Sequence, residues 1–446
     1  MVHHQLRLPL RACCILMAVV ACTFHAHDAG ALDLIGYLPN YRINANYIAN
    51  TLSGQLAMLD EIRYFGITVN GNGTLTTTAA DLSNLQSIKS AIDALPAAQR
   101  PRLGITIGGA GTSAGFATVA ASSTLRDQFA INLNALLNQT GASAVDLDWE
   151  HPSAGVERNT RFPAMLTRTK QELGANRFVY ATVDPTVMIP ASTLTGANAI
   201  DGVSLMTYDL SWWAGDPADQ NLGQHSLQEY VDASVKAWTD APGSPNQRPW
   251  VFGTWGRGVS AAKLGAGLPF YGRGFNGSSA DVAVTYRDLA TSGTTTNGSD
   301  YMYNGSKVWI PSLAMVEQRV EAAHETGLQH LIIWELAQDL APSNANSMLR
   351  RAYETNQRLA AIPGDFDGDG SMGQLDLEIW KTAFTAGTAA GDANGDERTD
   401  GIDFLIWQRH AASSPPTLAV PEPTSGLLLA PSLLVYLARR LPLCRQ

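Results

Sequence analysis

Ala144-Val145-Asp146-Leu147-Asp148-Trp149-Glu150 is the stretch on which the fold turns. Side chains alternate along a strand, so Asp146, Asp148 and Glu150 fall on one face and Val145, Leu147 and Trp149 on the other. The apolar set needs a covering layer, which argues against an exposed acidic strand. Three carboxylates on the enclosed face cannot all ionise cheaply: burial and like charge each raise a carboxyl pKa. One of them then keeps its proton near neutral pH, the property a general acid needs. A calcium loop running from Asp146 to Glu157 would place His151 and Pro152 where the turn glycine and its neighbour belong, and is set aside.

Outward from this stretch, short apolar runs alternate with amphipathic ones. Strands are expected at Leu34–Tyr37, Glu61–Val69, Leu103–Ile107, Ala144–Asp148, Phe178–Val183, Gly202–Tyr208, Ala266–Phe270 and His330–Trp334. Helical periodicity marks Leu82–Leu95, Ser123–Asn138, Arg161–Leu173, Gln228–Ala237 and Leu313–Thr326. Near-continuous apolar strands alternating with helices imply a parallel sheet covered on its outer face. Eight of them fit an α/β (β/α)8 barrel, in which function sits at the C-terminal strand ends. The runner-up is an open doubly wound sheet, but no G-x-G-x-x-G opens a helix after the first strand.

The residues at those ends carry a resemblance. Ser143-Ala144-Val145-Asp146-Leu147-Asp148-Trp149-Glu150 resembles the D-G-x-D-x-D-x-E signature of family 18 glycoside hydrolases, the chitinases. Leu34-Ile35-Gly36-Tyr37, Thr106-Ile107-Gly108-Gly109, Met206-Thr207-Tyr208-Asp209, Leu268-Pro269-Phe270-Tyr271-Gly272-Arg273 and Ile333-Trp334-Glu335 resemble the family's first, third, sixth, seventh and eighth strands, in order. The resemblance implies a substrate-assisted mechanism without a protein nucleophile, an exception to the two-carboxylate scheme. Glu150 would be the proton donor. Asp148 would orient the substrate acetamido N–H, Asp146 would share a proton with Asp148, and Tyr208 would bond the acetamido oxygen. Trp334 would floor the sugar, with Tyr37, Phe65, Gly108, Gly109, Trp149, Met206, Asp209 and Arg273 as further substrate contacts. No catalytic cofactor is implied. Ser143, Thr106, Ala110 and His151 depart from the family's usual Asp, Ser, Trp and Tyr. Only about 35 residues separate Phe275 from Pro311, shorter than the inserted α+β subdomain of one chitinase subgroup, so a shallower cleft is expected. Trp212, Trp213, Trp238, Trp250 and Trp255 are unassigned candidates for sugar contact.

The net charge of −10 argues against nucleic acid, and it is unevenly spread. Residues 363–411 hold ten acids and three bases. Within them Asp365, Asp367, Asp369, Ser371 and Asp376 recur 27 residues later as Asp392, Asn394, Asp396, Arg398 and Asp403, and Trp380 maps onto Trp407. Oxygen ligands at loop positions 1, 3, 5 and 12, with a backbone carbonyl at 7, are how a chain wraps Ca²⁺. Gly370 supplies the sharp turn of the first loop. Glu397 stands in its place in the second, implying strain there. A disordered linker would not keep Trp and Ile in register. The paired loops resemble a type I dockerin module with structural Ca²⁺. The positions such modules use for cohesins hold Gln374-Leu375 and Gly401-Ile402, which leaves a cohesin-type partner open.

Both ends read as addresses. Arg7 and Arg11 precede an apolar run from Cys13 to Phe24, and Ala29-Gly30-Ala31 supplies a cleavage site, the pattern of a secretory signal. Val420-Pro421-Glu422-Pro423, an apolar run and Arg439-Arg440 resemble the Pro-Glu-Pro sorting signals of Gram-negative bacteria, which engage an export and sorting machinery. All four cysteines lie in these ends. The expected organisation is signal 1–31, barrel 32–362, dockerin-like module 363–411, and linker with sorting segment 412–446, in a secreted or cell-surface protein. The expected activity is retaining hydrolysis of β-1,4-linked N-acetylglucosamine polymers such as chitin. The alternatives are a peptidoglycan or N-glycan chitobiose-core hydrolase on the same scaffold, or a non-catalytic chitin-binding lectin.

Overall fold

The structure, a computed structural model, describes residues 32–210, 224–245, 254–276, 279–295, 297–368, 372–394 and 396–411. The signal and sorting segments, Asp369, Gly370, Ser371, Trp212, Trp213 and Trp250 lie outside the described residues, as does the Trp255 side chain. The chain divides into two compact units at Ala360/Ala361, two residues before the boundary expected from sequence.

The first unit is a closed barrel. Its strands are β1 (Asp33–Pro39), β2 (Glu61–Val69), β3 (Arg102–Gly108), β4 (Ala144–Asp148), β5 (Phe178–Val183), β6 (Gly202–Leu205), β7 (Leu264–Pro269) and β8 (His330–Trp334). All eight are parallel, and β1 closes the ring by pairing with β8 through Asp33↔His330 and with β2 through Tyr37↔Arg63. The outward faces, such as Val145, Leu147 and Trp149 of β4, are buried under the helices. Five of these are α1 (Ala79–Asp93), α2 (Ala114–Ala121), α3 (Ser123–Thr140), α4 (Phe162–Leu173) and α5 (Gln228–Thr239). The covering is completed by α6 (Leu313–Thr326) and α7 (Met348–Ala360).

Strand β6 ends at Leu205, three residues before the expected Tyr208, and the cause is a side chain. Thr207 Oγ1 accepts the Gly267 N–H at 2.7 Å and donates to the Gly267 carbonyl at 3.0 Å, taking both ladder bonds that the backbone would have made. Gly267 itself makes room: a Cβ there would stand 2.7 Å from the Tyr208 ring.

Between β7 and α6 the chain builds a small α+β insertion. Strands Tyr271–Asn276, Ser279–Thr285, Thr294–Thr295, Asp300–Tyr303 and Ser306–Trp309 form an antiparallel sheet, with a helix at Tyr286–Ser292. The interval is short, yet it does form a wall: Tyr271, Arg273, Ala283 and Thr285 line the cleft.

Among its described residues the second unit has two helices, α8 (Gln374–Ala386) and α9 (Gly401–Ala411), each following one acidic loop. Trp380 packs 5.0 Å from Phe404 between ring centres, and its indole N–H donates to the Asp400 carbonyl at 3.0 Å. The 27-residue repeat survives in the packing. A Cβ on Gly364 would press on Trp407, and one on Gly391 would press on Trp380.

Candidate active site

The C-terminal ends of the strands surround a cleft of about 930 Å³. Its floor and walls include Tyr37, Phe65, Asp148, Glu150, Met206, Tyr208, Asp209, Arg273 and Trp334, all expected there from sequence. Trp334 meets Phe65 edge-on at 5.0 Å and Tyr37 at 5.7 Å, so its ring is braced from two sides. A rigid indole offers a flat apolar face to a sugar at low entropic cost.

Asp146 lies beneath the cleft, fully buried. Its Oδ2 accepts the Tyr37 hydroxyl at 2.8 Å and the Thr106 hydroxyl at 3.2 Å, and its Oδ1 accepts the Thr182 hydroxyl at 2.8 Å. Thr106, where the family has Ser, therefore makes the bond a serine would make. Asp148, one pleat higher, is 3% exposed, and its Oδ1 has no hydrogen-bond partner. Burial pushes the Asp148 carboxyl well above the usual range, the charges of Glu150 and Asp146 push it further, and Arg63 opposes. Glu150 borders the cleft, with its own N–H held by Ser113 Oγ at 3.0 Å. Burial raises its carboxyl too, against His151 and the Ala110 backbone amide, with Asp184 and Asp209 adding to the rise. Burial likewise keeps the Tyr208 hydroxyl protonated and able to donate. The site thus holds two carboxyls disposed to carry protons and a phenol donor around one space.

On the opposite wall, Arg273 Nε donates to Asp209 Oδ1 at 2.7 Å, and its Nη2 grips Oδ2. Burial alone would raise the Asp209 carboxyl, but His225 and Arg273 bring it far below the ordinary range. Asp209 is therefore an ionised acceptor with a fixed orientation.

One expected contact, Trp149, is corrected, and one unassigned candidate, Trp238, is placed. Trp149 is 4% exposed and faces outward: its ring stacks on Phe116 at 5.5 Å and meets Phe162 edge-on at 5.4 Å. Alternation along β4 puts it under the helices, so it is a core residue. Trp238 is fully buried, donating to the Pro185 carbonyl at 2.9 Å, and is also core. Gly108 and Gly109, expected as substrate contacts, are not among the residues that line the cleft; a Cβ on Gly108 would meet the Asp148 carbonyl and the Phe116 ring. At φ +101°, a Cβ on Gly109 would stand 2.2 Å from the Phe65 ring. Asp146 and Asp148 are adjacent along one face, while the Asp146 oxygens are taken by three hydroxyls.

Sequence reading missed Asn40, Tyr41, Arg42, Thr182, Asp184 and Gln338, which also line the cleft. Thr182 shares the inward face of β5, and Asp184 follows its end, so the barrel-end rule was the available signal. Ala110 and His151 do line the cleft; His151 Nε2 lies 3.8 Å from Glu150 Oε2.

In the second unit, ligand oxygens of Asp365, Asp367 and Asp376 lie within 4.8 Å of one another, and Asp376 is fully buried. Asp376 accepts the backbone N–H groups of Phe366 and Gly373 at 2.8 and 2.6 Å. Asp403 repeats this with Ala393 and Asp400 at 2.9 and 2.6 Å. Asp392 accepts from the amides of Asn394, Asp396 and Glu397, and Glu397 sits at φ +63°, the strain expected where the first loop has glycine. A set of hard oxygen donors with one buried carboxylate fits a divalent cation such as Ca²⁺.

Comparison with known proteins gives the barrel its family. The model of glycosyl hydrolases family 18 matches residues 33–339. The chain belongs to that family. Among curated relatives, Chitinase A1 of Niallia circulans is 31% identical over 195 residues, covering 39% of this chain and 27% of that protein. Chitinase 1 of Aphanocladium album is 24% identical over 271 residues, covering 52% and 60%. The chain thus spans less than two thirds of the length of either relative. The GH18 chitinase ChiB of Flavobacterium johnsoniae shares the fold with a TM-score of 0.55 at 18% identity, covering 74% of this chain and 96% of that one. A chitinase-like agglutinin of Robinia pseudoacacia shares it at 0.56 and 19% identity, over 72% and 98%. The family 18 match ends at Asp339, so it does not reach the second unit.

Proposed function

We propose that the family 18 barrel is a retaining hydrolase of β-1,4-linked N-acetylglucosamine polymers, chitin and its oligosaccharides. Glu150 gives its proton to the glycosidic oxygen as the C1–O bond breaks. The substrate's own acetamido oxygen bonds to C1 as the leaving sugar departs. Asp148 holds the acetamido N–H, and Tyr208 donates to the acetamido oxygen until it attacks. Water then adds to C1, the acetamido oxygen leaves, and the water's proton returns to Glu150. The configuration at C1 is inverted twice and so retained. Trp334 carries the sugar, and Asp209, fixed by Arg273, accepts from its hydroxyls.

The observation that supports this most strongly is the pair Asp148–Glu150. Asp148 is buried with an unpartnered oxygen next to a raised carboxyl on the cleft wall. A raised carboxyl facing the cleft suits a proton donor, a property that sugar binding alone does not call for. The agglutinin among the structural relatives makes that reading the one to exclude. Peptidoglycan and N-glycan chitobiose cores carry the same linkage chemistry and are the rival substrates.

The second unit is proposed to be a calcium-stabilised dockerin-like module, with a cohesin-type protein as its candidate partner. The two ends are proposed to direct export and sorting to the cell surface. The test is anomer-resolved product analysis on defined chitin oligomers, peptidoglycan and a high-mannose glycopeptide, with wild type and Glu150→Gln. The expected result is β-anomer product from chitin oligomers, and a turnover loss on the order of 10³-fold in the variant. Activity retained by Glu150→Gln, or faster cleavage of either rival substrate, overturns the reading.

A further inference from the structure

The interior of a (β/α)8 barrel is usually filled by layers of Val, Ile and Leu. Here it holds charges joined in one path. Arg102 Nη2 donates to Asp33 Oδ2 at 2.6 Å, and its Nε to Glu61 Oε2 at 3.1 Å. Arg63 Nε donates to the other Glu61 oxygen at 2.6 Å. Arg63 Nη1 lies 3.6 Å from Asp146 Oδ2 and donates to the Tyr37 hydroxyl at 2.9 Å, which donates to that same Asp146 oxygen at 2.8 Å. Read from the bottom of the barrel, acids and bases alternate: Asp33, Arg102, Glu61, Arg63, Asp146. Glu61, Arg63 and Asp146 are fully buried.

The path stops there. Asp148 is the next acid on the same face of β4, and among the described residues it forms no ion pair. A buried carboxylate is tolerable when paired and hydrogen-bonded, and costly otherwise. We propose that the alternating column, through the approach of Arg63 to Asp146 and its sharing with Glu61, sets the charge felt by Asp148 and, through it, by Glu150. Arg63 is then a positioning residue for the chemistry at Glu150. The proposal rests on the hydrolase reading above.

The other groups around the row do not supply a second cation. From β8, His330 bonds Ser204 Oγ at 2.8 Å; burial and the nearby Arg63 and Arg102 keep its ring neutral. From β5, the Tyr180 ring lies 4.4 Å below the Arg63 guanidinium and carries no charge. The Tyr37 and Tyr208 hydroxyls are held protonated by burial. At the mouth, Asp184 and Asp209 add negative potential at Glu150, and His151 opposes it. Arg63 is the cation against the row, and Glu61 is the anion that shares it.

That sharing gives the test its sign. In Glu61→Gln, Asp146 and Asp148 feel Arg63 undiluted, so the alkaline limb of the kcat/KM profile on a chitin oligomer moves to lower pH. In Arg63→Gln the same limb moves to higher pH. Each shift should be on the order of half to one pH unit. The double variant removes both charges, spares the fold an unpaired buried ion, and should return the limb towards wild type. A purely structural column would lower stability in all three and move no limb. Folded variants whose limbs stay put, or shift the same way in both single variants, overturn the proposal. If Arg63→Gln does not fold, Glu61→Gln against the double variant decides alone. If wild type does not hydrolyse these substrates, the hydrolase reading fails by itself, and carboxyl ¹³C titration of Asp148 in the same variants still reads the column.

Discussion

The Trp149 ring lies 5.5 Å from the Phe116 ring and within 9° of parallel to it, on the side of β4 opposite to Asp146 and Asp148. One strand thus carries the acid row inward and a helix-packing aromatic outward. Trp149→Ala should lower the unfolding free energy by about 3–5 kcal/mol, as large-to-small core changes do. KM on short oligomers should not change. Denaturant unfolding and steady-state kinetics check this; a raised KM with unaltered stability would put the ring back in the cleft.

Gly109 faces Phe65 in the same way that a socket faces its peg. Gly109→Ala adds a Cβ where φ is +101° and the Phe65 ring is 2.2 Å away. Phe65 must move, and Trp334 loses its edge contact. Expected are a stability loss of roughly 1–3 kcal/mol and a raised KM. Kinetics on the purified variant that match wild type would show that the indole needs no such bracing.

Asp148 holds its proton in the folded chain to a pH well above the ordinary carboxyl range. Its contribution to stability is complete below the unfolded carboxyl pKa, about 3.9. It is lost as pH rises towards the raised folded value. Asp148→Asn has no such loss. Its stability relative to wild type should therefore climb between acid and neutral pH and then level off, while its turnover collapses. Urea unfolding at a series of pH values measures this; a gap that does not change with pH counts against a proton on Asp148.

Arg273 holds Asp209 in the opposite state. The Asp209 carboxyl lies far below the usual range, so its contribution is present above the unfolded carboxyl pKa and lost as pH falls through the lowered value. Arg273→Ala should raise the Asp209 titration and weaken oligomer binding at neutral pH. The difference in stability from wild type should close in acid. Carboxyl ¹³C titration and KM report the two effects separately.

In the second unit, chelation should lower a thermal transition that the barrel does not share. Asp365→Ala with Asp367→Ala should abolish calcium stabilisation while leaving the Asp376 hydrogen bonds to Phe366 and Gly373 in place. Calorimetry of the full chain with Ca²⁺ and with EDTA checks this, and superimposable scans would remove calcium from the account.

Much of this was legible in the sequence because periodicity is local. The helix expected at Leu313–Thr326 and the strand at Ala144–Asp148 have those bounds in the structure. Alternation also placed Trp149 beside Val145 and Leu147; assigning it to the cleft followed the resemblance and not the pleat. The early end of β6 was not legible, because a threonine side chain replaces the ladder there. Glu61 and Arg63 are charges within an otherwise apolar run, and the sequence reading gave them no role. Their meaning needed Asp33, Arg102 and Asp146 from other strands, neighbours that only barrel closure supplies.

The exchanged glycines of the second unit carry a further consequence. Gly364 sits against the Cα of Trp407 and Gly391 against the Cα of Trp380, so the main chain of each half packs closely on the helix of the other. A protease cut between α8 and Gly391 would part each glycine from the backbone at the tryptophan it packs against. The pair is a clasp that is whole or open, and shortening the chain from its C-terminal side past Trp407 should unmake the first loop along with the second.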